Sequence, residues 1–300
     1  MVNHNFQITE RFLVLAFFFC LTFFCQPISF NNTGDYESSS YRETKILQCL
    51  LEGSCTLKNA SKERSYQIPA SLVSGLFAWY PLDGNSNDMS GNAQHGYFPG
   101  GVWPVTSGPS YAVGHSNLTN GSASFNGTNQ LFASDFVPLC HEDFAITFWI
   151  NTNLTSNNRI LGYQAAPSYN PGITMTLNVS GYPEFLSFWI ASGGNTDGLM
   201  VTSSSVVPAN VWTHIAYVHN GSTRQGTIWV NGVITGNTSN FGAYAGCTTG
   251  TSPNQWHNGT PLNIGYAYPS QFYVGMLDDI WFFKGRQLNE SDISTLMSLP

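Results

Sequence analysis

Oxygen donors are concentrated in one loop of the sequence, "LDGNSNDMSGN". Asp83, Asp88 and Asn92 lie in it, with further asparagines between them. Carboxylate, amide and backbone oxygens are the ligands of Ca²⁺, which takes about six to eight of them in a looser geometry than Mg²⁺ accepts. The spacing is not that of an EF-hand, and one loop alone is short of negative charge. A calcium site here would therefore need a second acidic segment.

Asp278 and Asp279 form such a segment, inside the apolar run "MLDDIWFF". A buried carboxylate without a partner is costly, so a cation or backbone N–H groups would have to satisfy it. Adjacent residues of a strand point to opposite faces of the sheet. We therefore expect that these two carboxylates cannot flank one bond from the same side.

The sequence lacks the patterns that catalysis requires. Glycoside hydrolysis needs two carboxylates that face each other across the bond. None of Glu142, Glu184 and Glu290 lies in a run of closely spaced carboxylates such as Glu-x-Asp-x-Glu, and each fits a surface or capping role. There is no Gly-x-Ser-x-Gly, His-Glu-x-x-His or Cys-x-x-Cys motif and no phosphate-binding glycine loop. We predict that the protein is not an enzyme.

Aromatic residues in long loops are candidates for sugar binding, because sugar rings stack on aromatic faces while amides hold their hydroxyls. Trp256, His257 and Asn254 form the most sugar-like group, and Trp103 and Tyr169 are further candidates. The alternative for each residue is packing in a small apolar cluster beneath its loop.

From Leu76 onwards the sequence predicts an all-β domain. Short aromatic and β-branched runs such as "FAWYPL", "FAITFWIN" and "WTHIAYVH" alternate with turn residues. Asn126-Gly127 and Asn231-Gly232 stand where hairpins need positive φ. With many strands and no alternating helices, two packed antiparallel sheets are favoured over a barrel.

One short helix is predicted at the C-terminus. Asn289 is placed to cap it, Asp292 follows three residues later, and Ile293, Leu296 and Met297 supply an apolar stripe.

Charge is scarce and unevenly distributed. Charged residues make up 9% of the chain, and residues 76–300 carry four basic against eleven acidic side chains. Such a surface cannot neutralise a phosphate backbone or bind an anionic membrane, so both kinds of partner are excluded.

The N-terminus predicts export from the cytosol. After Arg11, "FLVLAFFFCLTFFC" is a fourteen-residue apolar run, which fits a signal peptide and is short for a membrane span. Because no clear cleavage site follows, residues 1–30 are either a signal peptide or a type II signal anchor. Residues 31–75 are predicted to form a linker or stalk, and residues 76–300 are predicted to form the main domain.

Glycosylation signals and cysteines support a secreted or cell-surface glycoprotein. Eleven Asn-x-Ser/Thr sequons occur, about twice the number expected by chance. Four cysteines follow the apolar run, with three possible pairings, of which Cys49–Cys55 with Cys140–Cys247 is the simplest; free thiols are the alternative. The sequons begin at Asn31, Asn59, Asn117, Asn120, Asn126, Asn153, Asn178, Asn220, Asn237, Asn258 and Asn289.

The order of motifs in residues 76–300 resembles the laminin-G-like, concanavalin A-like jelly-roll domains. "GLFAWYPLDGNSNDMSGNAQHG" is similar to their first strand and loop, and "SASFNGTNQLFAS" to the next hairpin. "VWTHIAYVHNGSTRQGTIWVNGVITG" and "VGMLDDIWFFKGRQLNESDISTL" are similar to later strands and the terminal helix. The stretches 99–121 and 238–260 are longer than the family's usual loops.

The resemblance implies a two-sheet antiparallel sandwich in which the first loop and the last long strand lie together. In that family they can hold a structural calcium ion, so Asp88 and Asp278, then Asn92 and Asp279, are the predicted ligands. The alternative is that Asp278 accepts backbone N–H bonds and that Asp83 and Asp88 only shape turns.

Two functions remain open. The first is a lectin-like domain that binds a glycan outside the cell, and the second is a structural or adhesion module that contacts other extracellular proteins. A membrane would be involved only through the N-terminal anchor.

Overall fold

The computed structural model divides the chain into two units, Met1–Glu63 and Arg64–Pro300, and the described residues belong to the second. The predicted signal or anchor segment and the four cysteines Cys49, Cys55, Cys140 and Cys247 lie outside the described residues. Among the residues that are described, no helix is long and apolar enough to cross a membrane. The structure describes residues 64, 66–98, 107–133, 136, 141–152, 158–163, 172–177, 180–190, 196–241, 261–267 and 271–300.

Sixteen strands and two short helices form in these ranges. The strands are β1 (Leu76–Tyr80), β2 (Ser110–Ala112), β3 (Ser122–Asn126), β4 (Leu131–Ala133), β5 (Phe144–Asn151), β6 (Asn158–Tyr163), β7 (Gly172–Leu177), β8 (Pro183–Ile190), β9 (Thr196–Thr202), β10 (Thr213–Asn220), β11 (Gln225–Val230), β12 (Val233–Phe241), β13 (Leu262–Ile264), β14 (Tyr266–Ala267), β15 (Gln271–Phe272) and β16 (Val274–Lys284). The helices are α1 (Ala70–Val73) and α2 (Glu290–Ser298).

The strands form the predicted two-sheet antiparallel sandwich. The first sheet has the order β2-β3-β16-β5-β10-β11-β12, and β1 pairs with β16 beyond the end of β3. The second sheet has the order β12-β9-β8-β7-β6-β13-β4. Strand β12 belongs to both sheets, because its first half pairs with β11 and its second half with β9. A separate ribbon joins β14 to β15.

The main core lies between the two sheets. Alternate residues of β5 point into it, as the period of a strand requires, and the intervening Ala145 belongs to a second apolar cluster. Complete burial of side chains of this size contributes about 1.5–3 kcal/mol each relative to exposure. The inward residues include Phe144, Ile146, Phe148 and Ile150 of β5 and Ile173, Met175 and Leu177 of β7.

A second apolar cluster covers the outer face of the first sheet. Trp79 of β1 stacks on Trp281 of β16 with ring centroids 4.3 Å apart, and Phe283 continues the row. Helix α2 packs on these rings through Ile293 and Leu296. Its start is fixed by the predicted capping box between Asn289 and Asp292, since each side chain accepts the other's backbone N–H.

The segment before β1 also belongs to the sandwich. Leu72 of α1 is fully buried in the outer cluster, and Tyr66 and Ile68 pack against it. Arg286 donates to the carbonyls of Ser71 and Ser74 and so ties this segment to the chain just before α2. The sandwich therefore includes residues 66–75, which the sequence predicts to be part of the stalk.

The two predicted Asn-Gly turns have different outcomes. Asn231 and Gly232 have φ values of 48° and 79° and connect the antiparallel strands β11 and β12, as predicted. The hairpin predicted around Asn126-Gly127 is wrong, because β3 pairs with β2 and β16 in the first sheet and β4 with β13 in the second. Asn126 therefore ends a strand of one layer, and the chain then crosses to the other.

We expect Ile293→Ala to lower the free energy of unfolding by roughly 2–5 kcal/mol, because it opens a cavity under α2. Val233→Ala, at a side chain that is 63% exposed, should change it by less than about 0.5 kcal/mol. Urea unfolding of the full chain and of both variants measures the difference. Equal small effects would mean that α2 is not held by its apolar stripe.

Candidate functional site

A bulge in β16 brings two acidic residues together. Asp278 pairs with Trp149 of β5, and the next pair is Trp281 with Thr147, so β16 contains one extra residue. Asp279 takes a positive φ of 48° at this point. The ring Nδ1 of His115 lies 2.8 Å from Asp278 Oδ2 and 3.8 Å from Asp279 Oδ2. The expectation that the two carboxylates face opposite sides is therefore wrong, because the bulge breaks the alternation.

Arg64 and Asp83 complete this group. The guanidinium of Arg64 donates to Asp279 Oδ2 and lies 3.4 Å from Asp83 Oδ2. Trp79 Nε1 donates to Asp279 Oδ1 at 2.9 Å, and the Tyr66 hydroxyl donates to Asp83 Oδ2 at 3.0 Å. We call Arg64, Asp83, His115, Asp278 and Asp279 the acid cluster.

The loop between β2 and β3 places His115 against the cluster. Its backbone N–H donates to Asp278 Oδ2 at 2.9 Å, and its ring stacks on Trp149 at 4.6 Å. A Cβ on Gly114 would lie 2.6 Å from Asp278 Oδ2 and 2.3 Å from the carbonyl oxygen of Gly121. The close approach of this loop to Asp278 therefore requires glycine at position 114.

Burial dominates the electrostatics of the acid cluster, since every side chain in it is less than a tenth exposed. Burial and then the charge of Asp278 raise the pKa of Asp279 to about 6, against the opposing effect of Arg64. Burial likewise raises the pKa values of Asp83 and Asp278. Burial would lower the pKa of His115, but the hydrogen bond and charge of Asp278 raise it above its usual value.

Asp88 and Asn92, two of the predicted calcium ligands, do not join the acid cluster. Asp88 Oδ1 accepts the N–H groups of Trp79 and Ser90, and Oδ2 accepts the N–H of Gln94 and the Ser90 hydroxyl, all at 2.8–2.9 Å. Asn92 Nδ2 donates to the carbonyl of Leu76 at 2.9 Å. These bonds fold the loop onto the edge of β1, in agreement with the alternative in which Asp88 shapes a turn.

The predicted calcium ligands therefore fit calcium only in part. Of the four, the structure brings together Asp278 and Asp279, and it adds an imidazole and a guanidinium where calcium would take oxygen. Calcium at this position stays a prediction. His115 was missed because it is 163 residues away from Asp278 along the chain, and Arg64 because it lies in the predicted stalk.

An open groove lies at one end of β1. It has a volume of about 540 Å³, and Phe77, Asn92, Gln94, Glu142 and Lys284 line it. The ammonium of Lys284 lies 3.8 Å from Glu142 Oε2, and the Glu142 side chain is 31% exposed. We call this feature the groove; it combines amides, a charge pair and an aromatic edge.

The sugar-binding candidates of the sequence lie outside the described residues. These are Trp103, Tyr169, Asn254, Trp256 and His257.

Six sequons begin in the described ranges, and all but Asn220 begin at an exposed asparagine: Asn117, Asn120, Asn126, Asn220, Asn237 and Asn289.

Comparison with known proteins identifies the family. The model of the family described as the concanavalin A-like lectin/glucanases superfamily matches residues 125–294, more than half of the chain. The chain belongs to this superfamily, which confirms the predicted relationship. No curated protein matches the chain significantly.

Solved structures share the sandwich at low identity. Domain 4 of AbnA, a GH43 extracellular arabinanase from Geobacillus stearothermophilus in complex with arabinotriose, is 17% identical, with a TM-score of 0.53 over 74% of this chain and 98% of that one. A botulinum neurotoxin type C structure, concerned with dependence of cell entry on two ganglioside molecules, is 13% identical, with a TM-score of 0.50 over 77% of this chain and 53% of the toxin chain. These likenesses show the fold alone.

We expect Asp88→Ala to lower the free energy of unfolding by roughly 2–4 kcal/mol, because three backbone N–H groups lose their acceptor. The same loss should occur in chelator, since these bonds need no metal. Asn87→Ala, at an exposed position of the same loop, serves as the control in urea unfolding. If the variant lost stability only in calcium-containing buffer, Asp88 would be a calcium ligand, as the sequence predicts.

A pH prediction follows from His214 of β10. Burial and the nearby His115 lower the pKa of His214 to about 3. Below about pH 6.5, His214 takes up a proton in the unfolded chain but stays neutral in the folded chain. The free energy of unfolding therefore falls as the pH falls. When the pH falls from about 7 to about 4.5, the free energy of unfolding should decrease less for the His214→Gln variant than for the wild type. The expected difference is about 2–3 kcal/mol.

The control for this measurement is His141→Gln, at an exposed histidine. Urea unfolding at both pH values should give the same loss for this variant as for the wild type. An equal acid sensitivity of His214→Gln would show that His214 is protonated in the folded state.

Proposed function

We propose that this chain is a non-catalytic glycan-recognition domain that acts outside the cytosol. The observation that carries the proposal is the groove on a sandwich of the concanavalin A-like lectin/glucanase superfamily. It is open, as a site for a sugar chain must be, and its lining offers both hydrogen-bonding side chains and an aromatic edge.

The chemistry of the groove suits sugar hydroxyls. Asn92 and Gln94 bring amides, although the NH₂ group of Asn92 already donates to the carbonyls of Leu76 and Phe77. Glu142 and Lys284 bring an acceptor and a donor in one charge pair. Phe77 supplies an apolar edge beside them. Because a few polar groups around an apolar surface fix the orientation of a small ligand, this lining supports recognition of a glycan rather than of a purely apolar molecule.

The described carboxylates support a role without catalysis. Glycoside hydrolysis needs two carboxylates on either side of an accessible bond, but the side chains of Asp278 and Asp279 are only 1% and 4% exposed. In the groove, the partner of Glu142 is Lys284 rather than a second acid. Among the described residues, no accessible pair of carboxylates lies on the groove.

Two of the similar solved structures support a glycan as the ligand. The arabinanase domain was solved in complex with arabinotriose, and the toxin structure concerns interaction with gangliosides. Both have the same sandwich. The exposed sequons, together with the predicted signal or anchor segment, support a secreted or cell-surface location, with a glycan or an extracellular protein as partner.

The test is a glycan array probed with the full chain, in calcium and again in chelator. We expect binding to one class of glycan, and Glu142→Gln should weaken it by roughly tenfold, which corresponds to about 1.4 kcal/mol. Glu290→Gln, the same change at an exposed acid of α2, should alter binding less than twofold, within about 0.4 kcal/mol.

Three outcomes would contradict the proposal. A blank array together with specific capture of a purified extracellular protein would favour the adhesion module. Turnover of a polysaccharide would make the protein an enzyme. Glycan binding that Glu142→Gln leaves unchanged would place the site outside the groove.

A further inference from the structure

The acid cluster carries more negative than positive charge. It contains three carboxylates and one guanidinium, so two negative charges lack a counter-charge while His115 is neutral. All five side chains are less than a tenth exposed. Uncompensated charge at this depth is strongly unfavourable, so a cation or bound protons must offset it.

The geometry of three side chains matches a metal site. One ligand atom each from His115, Asp278 and Asp279 lie within 4.8 Å of one another. The two distances from His115 Nδ1, 2.8 and 3.8 Å, bracket the separation of roughly 3.3 Å between ligands around a tetrahedral ion with bonds of about 2.0–2.1 Å.

An unpartnered atom is the second, independent observation. Asp278 Oδ1 belongs to a side chain that is 1% exposed, and it has no hydrogen-bond partner among the described residues. Asp83 Oδ1 and His115 Nε2 are buried without a partner as well. Buried polar atoms are normally satisfied, and an ion or water is the usual explanation for those that are not.

We propose that His115, Asp278 and Asp279 bind one divalent metal ion of the class that accepts imidazole, with Zn²⁺ as the first choice. Calcium and magnesium prefer oxygen ligands, whereas imidazole together with carboxylates suits zinc. The two charges of the ion, added to that of Arg64, balance the three carboxylates. Asp88 and Asn92 are not ligands.

Such an ion would be structural. It joins the loop that carries His115 to β16. Its ligand Asp279 also pairs with Arg64, which precedes β1, and Arg64 in turn pairs with Asp83, which follows β1. Its site is closed to a substrate, because its ligands are buried. This role is separate from glycan binding in the groove, whose lining residues are different.

The test uses the full chain, stripped with chelator and titrated with ZnCl₂, and CaCl₂ for comparison. We expect one bound zinc per chain by elemental analysis. A hundredfold excess over the dissociation constant should raise Tm by roughly 5 °C or more. His115→Asn should weaken zinc binding by roughly tenfold or more, and His141→Asn, at an exposed histidine, should not.

Binding of Co²⁺ to the wild-type chain provides a second measurement if His115→Asn fails to fold. A visible absorption band is expected, because a low-coordinate site with an imidazole ligand lacks the symmetry of the hydrated ion. Absence of the band overturns the low-coordinate site. An equal Tm shift with CaCl₂ that His115→Asn leaves unchanged overturns the choice of metal. Absence of any binding or shift overturns the site, with protons then balancing the charge.

Discussion

Strand β16 is the constraint on which the rest of the structure depends. It pairs with β3 and β5 along its first half and with β1 and β5 along its second. The start of the domain is thereby held beside its end. One face of β16 supplies Phe282 to the inner core, while the other supplies Trp281 to the cluster under α2. Because both apolar layers and the acid cluster use this strand, its register determines all three.

The bulge at Asp279 links packing to charge. Without the extra residue, only one of the two carboxylates would reach His115, and the other would lie on the opposite face of the sheet. With it, a buried group forms from residues of the pre-strand segment, two loops and β16. Long-range contacts of this kind are entropically costly to assemble, so the apolar layers around them must supply most of the stability.

Local features were predictable from the sequence, and long-range ones were not. The capping box of α2 and the turn at Asn231-Gly232 depend on neighbouring residues, and the sandwich follows from the alternation of apolar residues. The hairpin at Asn126-Gly127 failed because a turn signal does not specify which strand is the partner. The acid cluster depends on a bulge and on two residues far from β16 in sequence. Neither can be recognised from the spacing of residues within β16.

The loop after β1 has a consequence beyond its own folding. Among the described strands, β16 is the one that pairs with β1, and without the loop the other side of β1 would expose its backbone groups. The loop covers them: Asp88 accepts from Trp79 N–H, Met89 N–H donates to the carbonyl of Trp79, and Asn92 donates to that of Phe77. An uncovered strand edge recruits strands from other molecules. By covering this edge, the loop protects the protein against self-association.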